Sequence, residues 1–115
     1  MIVFYLVSNS EENTSRACEL ILNAGFAHQV FADHAVDSFR VIEGMIQQEE
    51  LIRLIFLTKA MLFDDIERLL SQEIPEHDFR IYSTPVTQVD GATGKAIRER
   101  LPDGIQSSVT PTNPS

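Results

Sequence analysis

"RLIFLTKAMLFDDIERLL", Arg53 to Leu70, changes its period in the middle. Leu54 and Phe56 have one parity and Ile55 and Leu57 the other, so this strand is apolar on both sides. Strand side chains alternate between two faces, and a sheet wet on one face reads apolar, polar, apolar, polar. Both faces of this sheet are therefore expected to be covered. From about Met61 to Gln72 the spacing turns helical: Leu62, Ile66, Leu69 and Leu70 form a stripe, Asp64 and Arg68 stand at i,i+4, and Pro75 stops the run.

The same order occurs at the start. "IVFYLV", Ile2 to Val7, reads as a buried strand rich in β-branched and aromatic residues. In "SNSEEN", Ser8 with Glu11 and Asn9 with Glu12 have capping-box spacing. The helix they predict carries Ala17, Leu20, Ile21 and Ala24 on one side and ends at Gly25. "FAHQVFA", from Phe26, predicts a second strand. Residues 38–47 predict a third, interrupted by Gly44, with "DHAVD" as the joining turn. The last strand is "DFRIYSTPV", with Pro85 placing its end at an edge, and a short helix follows from Lys95 to Leu101.

Strand, helix, strand thus runs from Ile2 to Ala32 and again from Leu51 to Val86. This double βαβ pattern predicts an α+β, ferredoxin-like fold: one antiparallel four-stranded sheet, two helices on one face and an extended hairpin between the second and third strands. The first strand of each unit belongs in the middle of the sheet. Residues 1–101 are expected to form one domain, and 102–115, rich in Ser, Thr, Pro and Gly, a flexible tail.

The chain has 115 residues, enough for one modest core, and a formal charge of -8 from 17 acidic and 9 basic residues. That charge opposes nucleic-acid binding, which rests on Lys and Arg displacing phosphate counterions. Cys18 is the only cysteine, so an intrachain disulfide and a Cys-rich metal cluster are excluded. "MIVFYLV" lacks a basic leader and a cleavage site, and no run approaches the roughly 20 apolar residues of a membrane span. A soluble cytoplasmic protein without membrane insertion is expected.

"SFRVIEGMIQQEELIRLIFLTKAMLFDDIERLL" resembles the CutA divalent-cation-tolerance family of the PII-like superfamily. The resemblance rests on Glu43-Gly44, the acidic turn from Gln48 to Glu50, Thr58-Lys59, Leu62-Phe63 and Ile66 to Arg68, and extends to "TSRACELIL" and "RIYSTPV". The chain departs from the family pattern at "AHQVF", at Arg40 and Ile42 in the hairpin, and at "IPEHDF". The resemblance implies a PII/CutA-like homotrimer whose sheets face a shared centre, which would cover the second sheet face. It also implies a non-catalytic role in divalent cation binding or metal-ion tolerance. The alternative is a PII-like signalling module that binds a small anionic ligand or nucleotide between subunits and regulates a partner protein.

Two clusters offer metal-ligand chemistry, since imidazole with carboxylates suits copper or zinc: His34 with Asp33 and Asp37, and His77 with Glu76. Each needs further ligands, which a second subunit would supply. His28 shares parity with Phe26 and Val30 and reads as an interface residue. For an anion the candidates are Gly94 and Lys95 in "GATGKA", which fails the phosphate-loop spacing, and Arg40 on the hairpin. Cys18 reads as a buried thiol, and no nucleophile elbow or His-Glu-x-x-His pair is present, so no enzymatic activity is expected.

Overall fold

The structure, a computed structural model, describes residues 1–104. Its order is β1 (Ile2–Ser8), α1 (Glu11–Asn23), β2 (Phe31–Ile42), β3 (Met45–Thr58), a 3-10 turn (Ala60–Leu62), α2 (Phe63–Glu73), β4 (Arg80–Pro85) and α3 (Gly91–Arg100). The strands form one antiparallel sheet in the order β2-β3-β1-β4, so β1 and β3 are central as expected.

The core lies between one sheet face and α1 and α2. Ile2, Phe4 and Leu6 of β1 stand beside Leu54 and Phe56 of β3 in register, and all are buried. Phe4 stacks on Phe56 with ring centroids 4.8 Å apart, and Phe63 closes over Phe4 at 5.1 Å. Ala17 and Ile21 of α1 and Ile66 and Leu70 of α2 complete the layer with no side chain more than marginally exposed. The helical stripes read in the sequence are the faces that pack here, except at Ala24, which is the C-cap of α1 and exposed.

The ends of α1 differ in part from expectation. Ser10, not Ser8 or Asn9, is the N-cap: its hydroxyl accepts from the Asn13 amide at 3.1 Å. Ser8 is fully buried and donates instead to Asp78, whose other oxygen takes the Asn9 amide at 3.0 Å. At the C-terminal end Gly25 adopts φ +75, its amide reaching the Leu22 carbonyl and the Phe26 amide the Ile21 carbonyl, both at 3.1 Å. Those paired bonds satisfy carbonyls that a helix end leaves open, and the left-handed backbone suits glycine. In α2, Arg68 pairs with Asp65 at 3.1 Å rather than with Asp64.

The hairpin is the main correction. Residues 26–30 are not a strand, "DHAVD" is not a turn, and β2 and β3 run unbroken for 12 and 14 residues. The chain reverses at Glu43 and Gly44, with φ +52 and +77, a two-residue turn of the type whose twist matches a hairpin. Glutamate at the first position, where Asn or Asp is usual, hid the turn. Within "DHAVD" the register slips by one residue between Asp33 and Val36, a β-bulge. The ribbon runs well beyond the helices, giving extents of 58 × 33 × 25 Å and a radius of gyration of 16.1 Å, against about 13 Å for a compact chain of this length.

The third helix begins at Gly91 with Asp90 as its cap, four residues earlier than expected, and "GATG" is its first turn and not a loop. Ile97 and Leu101 join the core. The chain remains docked past residue 101: Lys59 Nζ donates to the Leu101 carbonyl at 2.9 Å and to Asp103 at 3.1 Å, and Gly104 is buried. The rest of the expected tail lies outside the described residues.

Candidate functional site

The sheet face opposite α1 and α2 carries Val3, Tyr5 and Val7 of β1 with Arg53, Ile55 and Leu57 of β3, all half-buried. It divides into two halves. The apolar half has Val3, Tyr5, Ile55 and Leu57, with Phe31 and Tyr82 beside them at 59% and 48% exposure. Tyr5 and Tyr82 stack with centroids 4.7 Å apart. The ribbon does not fold back over this face. α3 meets only its end, leaving a cleft of about 310 Å³ among His28, Phe31, Leu57, Ala96 and Ile97. His28 is exposed at the mouth of that cleft.

The charged half lies at the root of the ribbon. Arg53 of β3 pairs with Asp33 of β2 at 3.3 Å, and Glu49 receives Arg80 of β4 at 3.6 Å and Arg40 of β2 at 3.8 Å. Between them is a concavity of about 360 Å³ with Val7, Val36, Leu51 and Tyr82 as its apolar lining and Arg53, Arg80, Asp37 and Ser38 as its polar one. Among the described residues, Glu49 Oε1 and Arg53 Nε are buried and make no hydrogen bond. Of the anion candidates this brings Arg40 to a site and leaves Gly94 and Lys95 apart: Gly94 packs inside α3 against Val89 and Arg98, and the Thr93 amide is taken by Asp90 at 3.0 Å. That bond holds the Asp90 carboxyl below its ordinary range.

Sequence reasoning missed Arg53, Arg80 and Glu49. Arg53 carried a signal, being the one charge in the apolar run "LIRLIFL" and on the parity of Ile55 and Leu57. Glu49 and Arg80 carried none, because only the sheet order sets them across the end of β1.

The metal candidates are dispersed. Strand alternation puts Asp33 on the open face with Arg53 and His34 on the helix side, lining a cleft with Thr14, Cys18 and Ile52 and another with Asn9, Glu11 and Glu50. Asp37 stands opposite Glu50 in the ribbon. Burial, with Glu19 nearby, raises the Cys18 thiol above its ordinary value, so it is the less reactive neutral form. His77 stacks on Phe79 at 4.4 Å and its Nδ1 accepts the Phe79 amide at 3.1 Å; Glu76 is exposed in the same turn. Among the described residues, no three His, Cys, Asp or Glu come together in one chain in an arrangement that could hold a metal ion.

No described helix is long and apolar enough to cross a membrane. No family model and no curated protein matches the sequence. Solved structures do match in fold. The divalent cation tolerance protein Cut A1 of Thermus thermophilus superposes with a TM-score of 0.76 at 16% identity, over 89% of this chain and 100% of that one. CutA1 of the psychrotrophic bacterium Shewanella sp. gives 0.77 at 18%, over 89% and 95%. The periplasmic divalent cation tolerance protein CutA of Archaeoglobus fulgidus gives 0.73 at 20%, over 87% and 98%. The chain therefore has the fold of the CutA1 structures, as its sequence resemblance predicted.

Proposed function

We propose that this chain is a divergent CutA-like protein that assembles as a homotrimer through its open sheet face and acts without catalysis in divalent cation binding or tolerance. The observation that carries the reading is the apolar half of the open face, on a fold whose solved neighbours are described as divalent cation tolerance proteins. Six apolar side chains line that half, four of them half-buried, and full burial of an exposed one is worth roughly 1.5–3 kcal/mol, less for those already half-covered. A second and third copy are the natural cover, since a closed ring of identical subunits leaves no such face unpartnered.

Among the described residues the donors of one chain do not make a metal site by themselves, so the cation-binding part of the reading requires ligands from two subunits. His34 with Glu11 and Glu50, and His77 with Glu76, are the donor groups each chain would bring, and imidazole with carboxylate suits copper or zinc. Copper and zinc titrations followed by calorimetry test this. A saturable heat that is lost when His34→Ala and His77→Ala are combined supports it; an unchanged heat removes both residues from the site.

A second reading, a PII-like signalling module that binds a small anionic ligand or nucleotide between subunits and regulates a partner protein, is favoured by one observation. Arg40, Arg53 and Arg80 converge at the root of the ribbon, three of only nine basic residues in a chain of net charge -8.

A further inference from the structure

We infer that the outer part of the β2-β3 ribbon docks on a second copy of this chain, in the cleft between α3 and the end of the open sheet face. The inference rests on the homotrimer reading and deepens it by naming a second contact and the surfaces that make it.

Strand alternation and the β2-β3 register put Phe39, Val41 and Ile46 on one face of the ribbon, with Val41 directly across from Ile46. They are 64%, 68% and 76% exposed, more than Phe31 or Tyr82 on the open sheet face. A two-stranded ribbon standing alone is marginally stable in water, and apolar side chains gathered on one marks a contact surface. Asp37 and Glu50, a cross-strand pair, border this patch toward the sheet, and Glu43 of the turn borders it at the tip. The ribbon therefore offers an apolar patch with an acidic border.

The complementary surface lies at α3. Six of the nine basic residues pair with a carboxylate of their own chain. Among the described residues, the three without an ion pair are Lys95, Arg98 and Arg100, all exposed and all on α3. With Glu99 they give this helix a charge of +2 in a chain of net charge -8. Arg98 lies over Gly94, away from the cleft, but Arg100 follows Ala96 by one turn and so stands on the side that lines it. Phe31 and Leu57 face Ala96 and Ile97 across about 310 Å³. An apolar cleft with cations beside it matches an apolar patch with carboxylates beside it.

The two surfaces do not meet within one chain. Phe31, at the cleft, begins β2, and Val41 lies ten residues further along that extended strand, about 30 Å away at roughly 3.3 Å per residue. Because ribbon and cleft are different patches, their contact is head-to-tail, the kind that closes a ring of three; a patch that meets only its own copy makes pairs.

The test uses the full chain and reads mass by sedimentation equilibrium over a dilution series, with a chelator present because Glu50 is also a candidate cation donor. Glu43→Lys with Glu50→Lys should raise the concentration of half-dissociation by about tenfold or more, and Lys95→Glu with Arg100→Glu should do the same. All four substitutions together remake the charge match in reverse. They should return assembly to within about threefold of the parent, a rescue that damage to the fold does not produce. Phe39→Ser with Ile46→Ser should also dissociate the assembly while circular dichroism stays unchanged, since both residues lie outside the core. Parent-like assembly in either charge-reversed pair, or a fourfold variant no better than the weaker pair, overturns the proposal. An oligomer indifferent to every variant defeats only this contact. A parent of 13.0 kDa at every concentration defeats the homotrimer and this contact with it, and rescue in an assembly of some other number of chains defeats only the trimer.

Discussion

Tyr5 and Tyr82 stack at 4.7 Å and 11° on the sheet face that α1 and α2 leave bare. Each ring covers the other's flank, yet Tyr82 remains 48% exposed and Ile55 and Leu57 beside the pair are only half-buried. The stack gives the face a flat apolar platform without hiding it, and aromatic platforms of this kind are favoured at subunit contacts.

Replacing Ile55 or Tyr82 by Asp places a charge in the proposed contact while leaving the helix-side core untouched. Size-exclusion chromatography with light scattering should show a single-chain mass, and circular dichroism should show retained helix and strand. Retention of the parent mass in both variants would place the contact elsewhere.

The helix-side core should behave in the opposite way. Phe56 is 1% exposed and stacks on Phe4, so Phe56→Ala removes a ring from a packed layer and should cost about 3–5 kcal/mol in denaturant unfolding. For a domain this small that is a large part of its total stability.

The hairpin turn should show a purely conformational effect. A Cβ added at Gly44 would meet nothing within 4 Å, but φ is +77, so Gly44→Ala should cost about 1 kcal/mol through backbone strain alone. Gly44→Asn, which tolerates the left-handed region better, should cost less. Equal losses for the two variants would contradict the turn geometry.

Asp78 ties β4 to the end of β1. Partial burial pushes its carboxyl up, but the bonds from the Ser8 hydroxyl and the Asn9 amide, with Arg80 nearby, outweigh this and hold it below its ordinary 3.8. A carboxyl whose folded value is depressed adds stability above its unfolded value, and that increment disappears as pH falls through the folded value. Asp78→Asn should therefore lower the melting temperature at neutral pH, and the gap to the parent should narrow below about pH 4. A gap that stays constant into acid would show that charge is not what Asp78 contributes.

The fold was legible wherever burial imposes a period. Phe4, Leu54, Phe56, Ile66 and Leu70 stand where the spacing of apolar residues put them, because a two-layer core admits no other register. The ribbon was not legible, since beyond the helices both of its faces meet solvent and nothing forces alternation on residues 37–50. Phe39, Val41, Met45 and Ile46 lie 64–76% exposed there, and their apolar character signals no core. The bulge was hidden for a related reason: the slip between Asp33 and Val36 is a property of pairing with β3, while ordinary strand alternation separates Asp33 from the neighbouring His34 that sequence proximity had joined. Arg40 stood out in the sequence as a departure from the family pattern in the hairpin. Its companions Arg53, Glu49 and Arg80 come from two other stretches of the chain and meet only through the strand order.

The claim on which the functional reading rests is that the open face is shared between copies. Sedimentation equilibrium across a wide dilution range tests it most directly. The account predicts a species near 39 kDa, three times the 13.0 kDa of one chain, persisting to low micromolar concentration. A single ideal species of 13.0 kDa throughout that range would contradict it.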